Sequence, residues 1–239
     1  MNTAVNSPAQ ESVAPTSSTS SVHHSHHPPY LAHHFAEPEQ QLEAAKMGMW
    51  IFLLTEILLF GGIFCAYVIY RGLNLEMFHS AHQLLSVPLG ATNTFILMAS
   101  TIAMTFAIRA MQLGNRQQTV MLLIFTLVCA AVFLGIKYVE YSHKFHLGLL
   151  PGVYYTYDGS EGAIVGKNPH IFFGIYFAMT GVHALHVIAG MAVIAWMLVR
   201  TAKGDFSAEY YTPLEISGLY WHLVDIIWIF VFTLLYLIG

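Results

Sequence analysis

One acid, Glu56, stands inside an otherwise apolar run, Met47–Tyr70, that is bracketed by Lys46 and Arg71. It follows Lys46 by ten residues, about 15 Å of helix, which sets it near the midplane of a bilayer. A carboxylate at that depth costs a few kcal/mol, so it needs a partner or a purpose. Two chemistries fit: a protonated or hydrogen-bonded glutamic acid that ties helices together, or a group that relays protons or faces a partner's proton path.

Four more polar residues interrupt later apolar runs. His183 and His186 are three apart, as are His222 and Asp225, and residues at that spacing share a helix face. Imidazole and carboxylate suit zinc or iron, so a metal site between two facing helices is one reading. A haem or copper site needs further ligands with their own supporting shell. The other readings are interhelical hydrogen bonds and contacts with lipid headgroups. Lys137 and Glu140 have the spacing of a local ion pair, with the lysine snorkelling to the interface. His23, His24, His26, His27, His33 and His34 form a tract of the kind that binds metal, here without the preorganised geometry of a catalytic site. The sequence contains no phosphate-binding loop, CxxC, haem-attachment CxxCH or nucleophile motif.

The elements that hold these residues follow from composition. Of 239 residues, 56% are hydrophobic and 9% charged, against roughly 25% charged in a soluble domain, so the solvent of this chain is lipid. The net charge of −4 is spread out, and no basic cluster suggests nucleic acid. Residues 1–29 are rich in Ser, Thr, Pro and His and are expected to be a disordered tail. They lack the apolar core of a cleavable signal peptide. Residues 30–239 form the expected membrane domain. A bridge from Tyr30 to Ala45 includes the polar first turns of a helix around Glu39–Glu43.

Five runs are long enough to cross roughly 30 Å of hydrocarbon: Met47–Tyr70, Pro88–Ile108, Thr119–Ile136 with a helical continuation through Glu140, Ile171–Val199 and Ile216–Ile238. None alternates apolar and polar residues as a barrel strand would. The fold class is therefore all-α, a polytopic bundle of five transmembrane helices. Segments 72–87 and 143–169 read as the longer connections. Cys65 and Cys129 read as small buried hydrophobes, and the pairs Gly62–Ala66 and Gly174–Ala178 as close helix contacts. Lys46, Arg109, Arg116, Arg200 and Lys203 fall on one side, and Arg71, Lys144 and Lys167 on the other. That asymmetry places the N-terminus in the cytoplasm and the C-terminus in the periplasm of a bacterial inner membrane.

Four stretches, in order, resemble a known family. Lys46-Met-Gly-Met-Trp-Ile-Phe-Leu-Leu-Thr-Glu56 resembles the first conserved helix, with its embedded glutamate, of subunit III of haem-copper terminal oxidases. Lys137-Tyr-Val-Glu140-Tyr141 is similar to the end of the next-but-one helix, and Thr180-Gly-Val-His183-Ala-Leu-His186 to a THxLH-like segment. Trp221-His222-Leu-Val-Asp225-Ile-Ile-Trp228 matches a WHxxDxxW pattern near the C-terminus.

The resemblance implies a five-helix version of the family, without the two leading helices that enclose a lipid-holding cleft in the larger form. It implies an oxidase subunit with no redox centre or catalytic residue of its own. Haem and copper belong to partner subunits, subunit I is a direct neighbour, subunit II and other respiratory-complex subunits are in the same complex, and any phospholipid site must be completed by a partner subunit. The implied role is to stabilise subunit I and sustain proton uptake during aerobic electron transport. Glu56, Glu140 and Glu215 are then the proton-related or interface acids, and His183, His186, Trp221, His222 and Asp225 the helix-packing or lipid-contact residues. A quinol oxidase or nitric oxide reductase subunit, and a small membrane transporter, remain as other readings.

Overall fold

The computed structural model describes residues 38–238. The expected tail 1–29, with the histidine tract, lies outside the described residues. Six α-helices follow one another: α1 Pro38–Leu73, α2 Leu75–His82, α3 Val87–Gln112, α4 Arg116–His146, α5 His170–Lys203 and α6 Thr212–Phe232. A π-helical turn, Thr233–Ile238, continues α6. Five of these stretches, all but α2, are long and apolar enough to cross a membrane, and their limits contain the five expected runs.

The connections follow from local chemistry. Pro88 sits in the first turn of α3 and Pro213 in that of α6, where a missing N–H costs nothing. Between α3 and α4, Gly114 adopts φ +74°. Its N–H bonds the Met111 carbonyl at 2.9 Å, and the N–H of Asn115 bonds that of Ala110 at 2.9 Å, a Schellman closure that glycine permits at no steric cost. Asn115 then caps α4 by accepting from the Gln118 N–H at 3.2 Å. This three-residue turn sends α4 back along α3.

Segment 72–87, expected as a connection, contains the short helix α2. Its Met77, Phe78 and Ala81 are buried, and Phe78 meets Tyr67 of α1 and Phe172 of α5 edge-on at 5.6 and 5.2 Å. The apolar spacing 77–78–81 is amphipathic over two turns, too short to stand out beside the spans. The loop between α4 and α5 begins after His146 and is tied to α2 where the Val165 N–H donates to Ser80 Oγ at 3.1 Å.

Four helices close a ring: α3 packs on α4, α4 on α5, α5 on α6 and α6 on α3. Their shared interior holds the largest buried side chains, including Trp221, Trp228, Phe133 and Tyr176. The two indoles hydrogen-bond inward, Trp221 Nε1 to Ser100 Oγ at 2.7 Å and Trp228 Nε1 to Thr94 Oγ1 at 3.1 Å, which satisfies polar atoms that lipid cannot.

Helix α1 lies on the flank. It buries Leu53, Phe60 and Tyr67, spaced by seven residues along one stripe, packs Met49, Ile63 and Phe64 partly against the core, and leaves many of its other apolar side chains exposed. Only 17% of its most apolar stretch is buried within the chain, against 44% for the last span. The π-helical turn helps to hold α1 and α2 in place. Its Leu234, Leu235 and Ile238 carbonyls accept from Tyr67 O–H at 2.5 Å, His82 Nδ1 at 3.0 Å and Arg71 Nη2 at 3.1 Å. Carbonyls at a helix end have no partner in the helix and need such donors.

Two packing expectations are corrected. A Cβ at Gly62 would meet nothing within 4 Å, and one at Gly174 would meet only Pro151 of the loop at 3.7 Å. The close helix approaches fall instead at Gly190, where a Cβ would lie 2.8 Å from the Trp221 ring, and at Gly90 against Phe232 and Tyr236. Cys129 is buried, whereas Cys65 is exposed on α1.

Candidate functional site

Glu56 projects from the buried stripe of α1 and meets α5: its Oε2 lies 2.6 Å from His186 Nε2. His186 Nδ1 lies 2.7 Å from the Val182 carbonyl. A carbonyl only accepts, so Nδ1 carries a proton and donates it. The short contact on the other nitrogen then requires one further proton, held between imidazole and carboxyl. The pair is net neutral whichever atom holds that proton, which is how an acid and a base lower the cost of sitting inside a membrane. Tyr220 of α6 donates to the His186 carbonyl at 3.0 Å, and Phe60 closes over the imidazole edge-on at 5.2 Å. Cover is incomplete, with Glu56 13% and His186 19% exposed.

A second acid–base cluster joins α4, α5 and α6. Lys137 Nζ donates to Glu140 Oε2 at 2.9 Å and to the Tyr236 hydroxyl at 3.0 Å. Glu140 Oε1 accepts from Tyr176 at 3.0 Å and from Tyr236 at 2.5 Å. Tyr176 and Trp228 also present ring faces to the ammonium at 5.2 and 5.4 Å. The ion pair matches its spacing, but the expected snorkelling does not occur: Lys137 is 4% and Glu140 3% exposed. Glu140 and two tyrosines hold the ammonium in place more strongly than the interface attracts it.

His183 and His186 diverge. His183 points into the ring of helices, edge-on to Phe133 at 5.6 Å and against Trp228 at 5.1 Å, and neither of its nitrogens has a hydrogen-bond partner among the described residues. His222 and Asp225 do share a face, towards α3. Thr105 Oγ1 lies 3.2 Å from His222 Nε2, and Thr101 donates to Asp225 Oδ2. The four residues thus occupy three separate environments. The metal reading fails on that arrangement: among the described residues no three His, Cys, Asp or Glu side chains converge. Glu215, near the start of α6, pairs with Lys46 at 3.0 Å on a partly exposed surface, and Trp221 is a core residue.

Sequence reasoning missed Tyr176, Tyr236 and Thr101, which complete these sites. Each is polar within an apolar run, and that was the available signal. Their partners lie 36, 96 and 124 residues away.

Five membrane-crossing helices, with their polar side chains turned largely upon one another, define a polytopic integral membrane protein. The chain belongs to the cytochrome c oxidase subunit III family, whose model matches residues 29–239. It is 30% identical to quinol oxidase subunit 3 of Bacillus subtilis (strain 168), over 85% of this chain and 93% of that one. It is 31% identical to cytochrome c oxidase subunit 3 of Thermostichus vulcanus, over 80% and 86%. A third relative, heme-copper oxidase subunit I+III of Aeropyrum pernix, is 30% identical over 88% of this chain and 24% of its own length. The chain is accordingly a non-catalytic membrane subunit of a haem-copper oxidase, within an oxidoreductase complex.

Proposed function

We propose that this chain stabilises the haem- and copper-bearing subunit I of its oxidase and supports proton uptake there, with subunit II in the same complex and no redox centre of its own. The observation that carries the reading is the Glu56–His186 pair, an acid and a base 2.6 Å apart, with the acid on a helix that its own chain leaves largely uncovered. A relative whose name joins subunits I and III in one polypeptide supports direct contact with subunit I. Phospholipid fits the apolar flank of α1. Lys46, Arg109, Arg116, Arg200 and Lys203 support an N-terminus in the bacterial cytoplasm and a periplasmic C-terminus. The opposing count is weaker than the sequence suggests, because Lys144 is buried and donates to the Leu84 carbonyl.

The test is purification of the tagged chain in mild detergent. Haem absorbance on a co-purifying subunit, with oxygen uptake from reduced cytochrome c or a quinol, is expected. A chain that purifies alone, or that conducts a solute in vesicles without any haem-bearing companion, would contradict the reading.

A further inference from the structure

The side-chain contacts of the four-helix ring divide it into layers. Helices α5 and α6 pass one another with Gly190 against Trp221 and His183 against Trp228 at 5.1 Å. Helices α3 and α6 do so with Ser100 bonded to Trp221 at 2.7 Å and Thr94 to Trp228 at 3.1 Å. Both registers set Asn93, the neighbour of Thr94, at the depth of His183. Phe133 of α4 completes the layer, edge-on to Trp228 at 4.8 Å and to His183 at 5.6 Å.

Each helix of the ring gives this layer one side chain, and the two diagonals differ. Phe133 of α4 and Trp228 of α6 touch across the first. Asn93 of α3 and His183 of α5 stand on the second. Both are 0% exposed, and none of their side-chain nitrogens and oxygens has a hydrogen-bond partner among the described residues. Lipid offers such atoms no partner, and burial keeps them from the bulk solvent.

We infer that this layer is a water-binding site, in which His183 and Asn93 hold at least one ordered water molecule inside the ring. A neutral imidazole presents one N–H and one acceptor nitrogen, and an amide presents N–H donors and an acceptor oxygen. Together they match both the hydrogens and the oxygen of water. Buried waters take roughly two to four hydrogen bonds from polar groups otherwise left unpaired. A metal ion would find one imidazole and one neutral amide here, too few ligands to hold it. An apolar ligand would leave every one of these atoms unpaired. The water ties α3 to α5 across the ring, where the two side chains do not bond each other. The site does not depend on which oxidase complex holds the chain.

The experiment is X-ray radiolytic labelling of the full chain, purified in mild detergent with its companions. Radiolysis makes hydroxyl radicals from bound and bulk water alike, and a scavenger in the buffer removes only those from the bulk. Phe133 and Phe172 are both 0% exposed, and Phe172 packs on Phe78 and Phe173. With scavenger present, Phe133 is expected to be oxidised at least tenfold faster than Phe172, as read by mass spectrometry. Equal rates, or a Phe133 rate that the scavenger abolishes, would overturn the site. His183→Leu and Asn93→Leu are each expected to lower the Phe133 rate at least threefold. A rate that either variant leaves unaltered contradicts that residue's place in the site. Where a variant fails to assemble, the comparison within the unaltered chain decides.

Discussion

Lys137–Glu140 and Glu56–His186 are both acid–base pairs inside one membrane bundle, and they are built in opposite ways. In the first, two tyrosines and an ammonium occupy both carboxylate oxygens, three helices converge, and exposure is 3–4%. In the second, one oxygen and one nitrogen meet across two helices, and 13–19% of each side chain is open. Saturation fixes a charge, because moving its proton would break several bonds at once. A single contact at an open edge gives a proton fewer bonds to break. Burial alone therefore does not mark a functional acid; the number of partners that its oxygens hold separates a clasp from a candidate proton site.

The comparison breaks most readily at the clasp. Glu140→Ala leaves Lys137 buried without its counter-charge and is expected to cost about 3–5 kcal/mol, read as a lower unfolding midpoint on detergent titration of the purified complex. The double variant Lys137→Met with Glu140→Leu is expected to recover most of that loss, since neither charge is then stranded. Tyr236→Phe removes one donor to the carboxylate and is expected to cost about 1.5–3 kcal/mol by the same titration. Glu56→Gln keeps a polar group against His186, with an expected cost of about 1 kcal/mol and intact assembly by size-exclusion chromatography. Lys46→Ala removes a pair whose side chains are 38% and 27% exposed. It is expected to change stability by less than about 1 kcal/mol, with the difference shrinking further at high salt.

The spans were legible because a bilayer imposes length and apolarity on each helix, and Lys46 and Arg71 bracketed the first of them. Glu56, Glu140 and Asp225 were conspicuous as acids in apolar runs. Their partners were not, since Glu56 finds His186 at a separation of 130 residues and helical period says nothing about which helices meet. The reading of His183 and His186 as one face failed for a related reason. The two side chains straddle the edge of α5, one turned to the ring interior and the other to α1. Gly190 was similarly hidden: no neighbour in sequence announces that an indole from α6 lies 2.8 Å from where its Cβ would be.

Haem content and proton uptake, measured together on the oxidase carrying Glu56→Gln, test the account most directly. It predicts unchanged haem per complex and slower proton uptake during turnover, because the variant keeps the helix contact and loses the shared proton. Loss of haem would make Glu56 part of the scaffold, and uptake at the unaltered rate would remove it from the proton path.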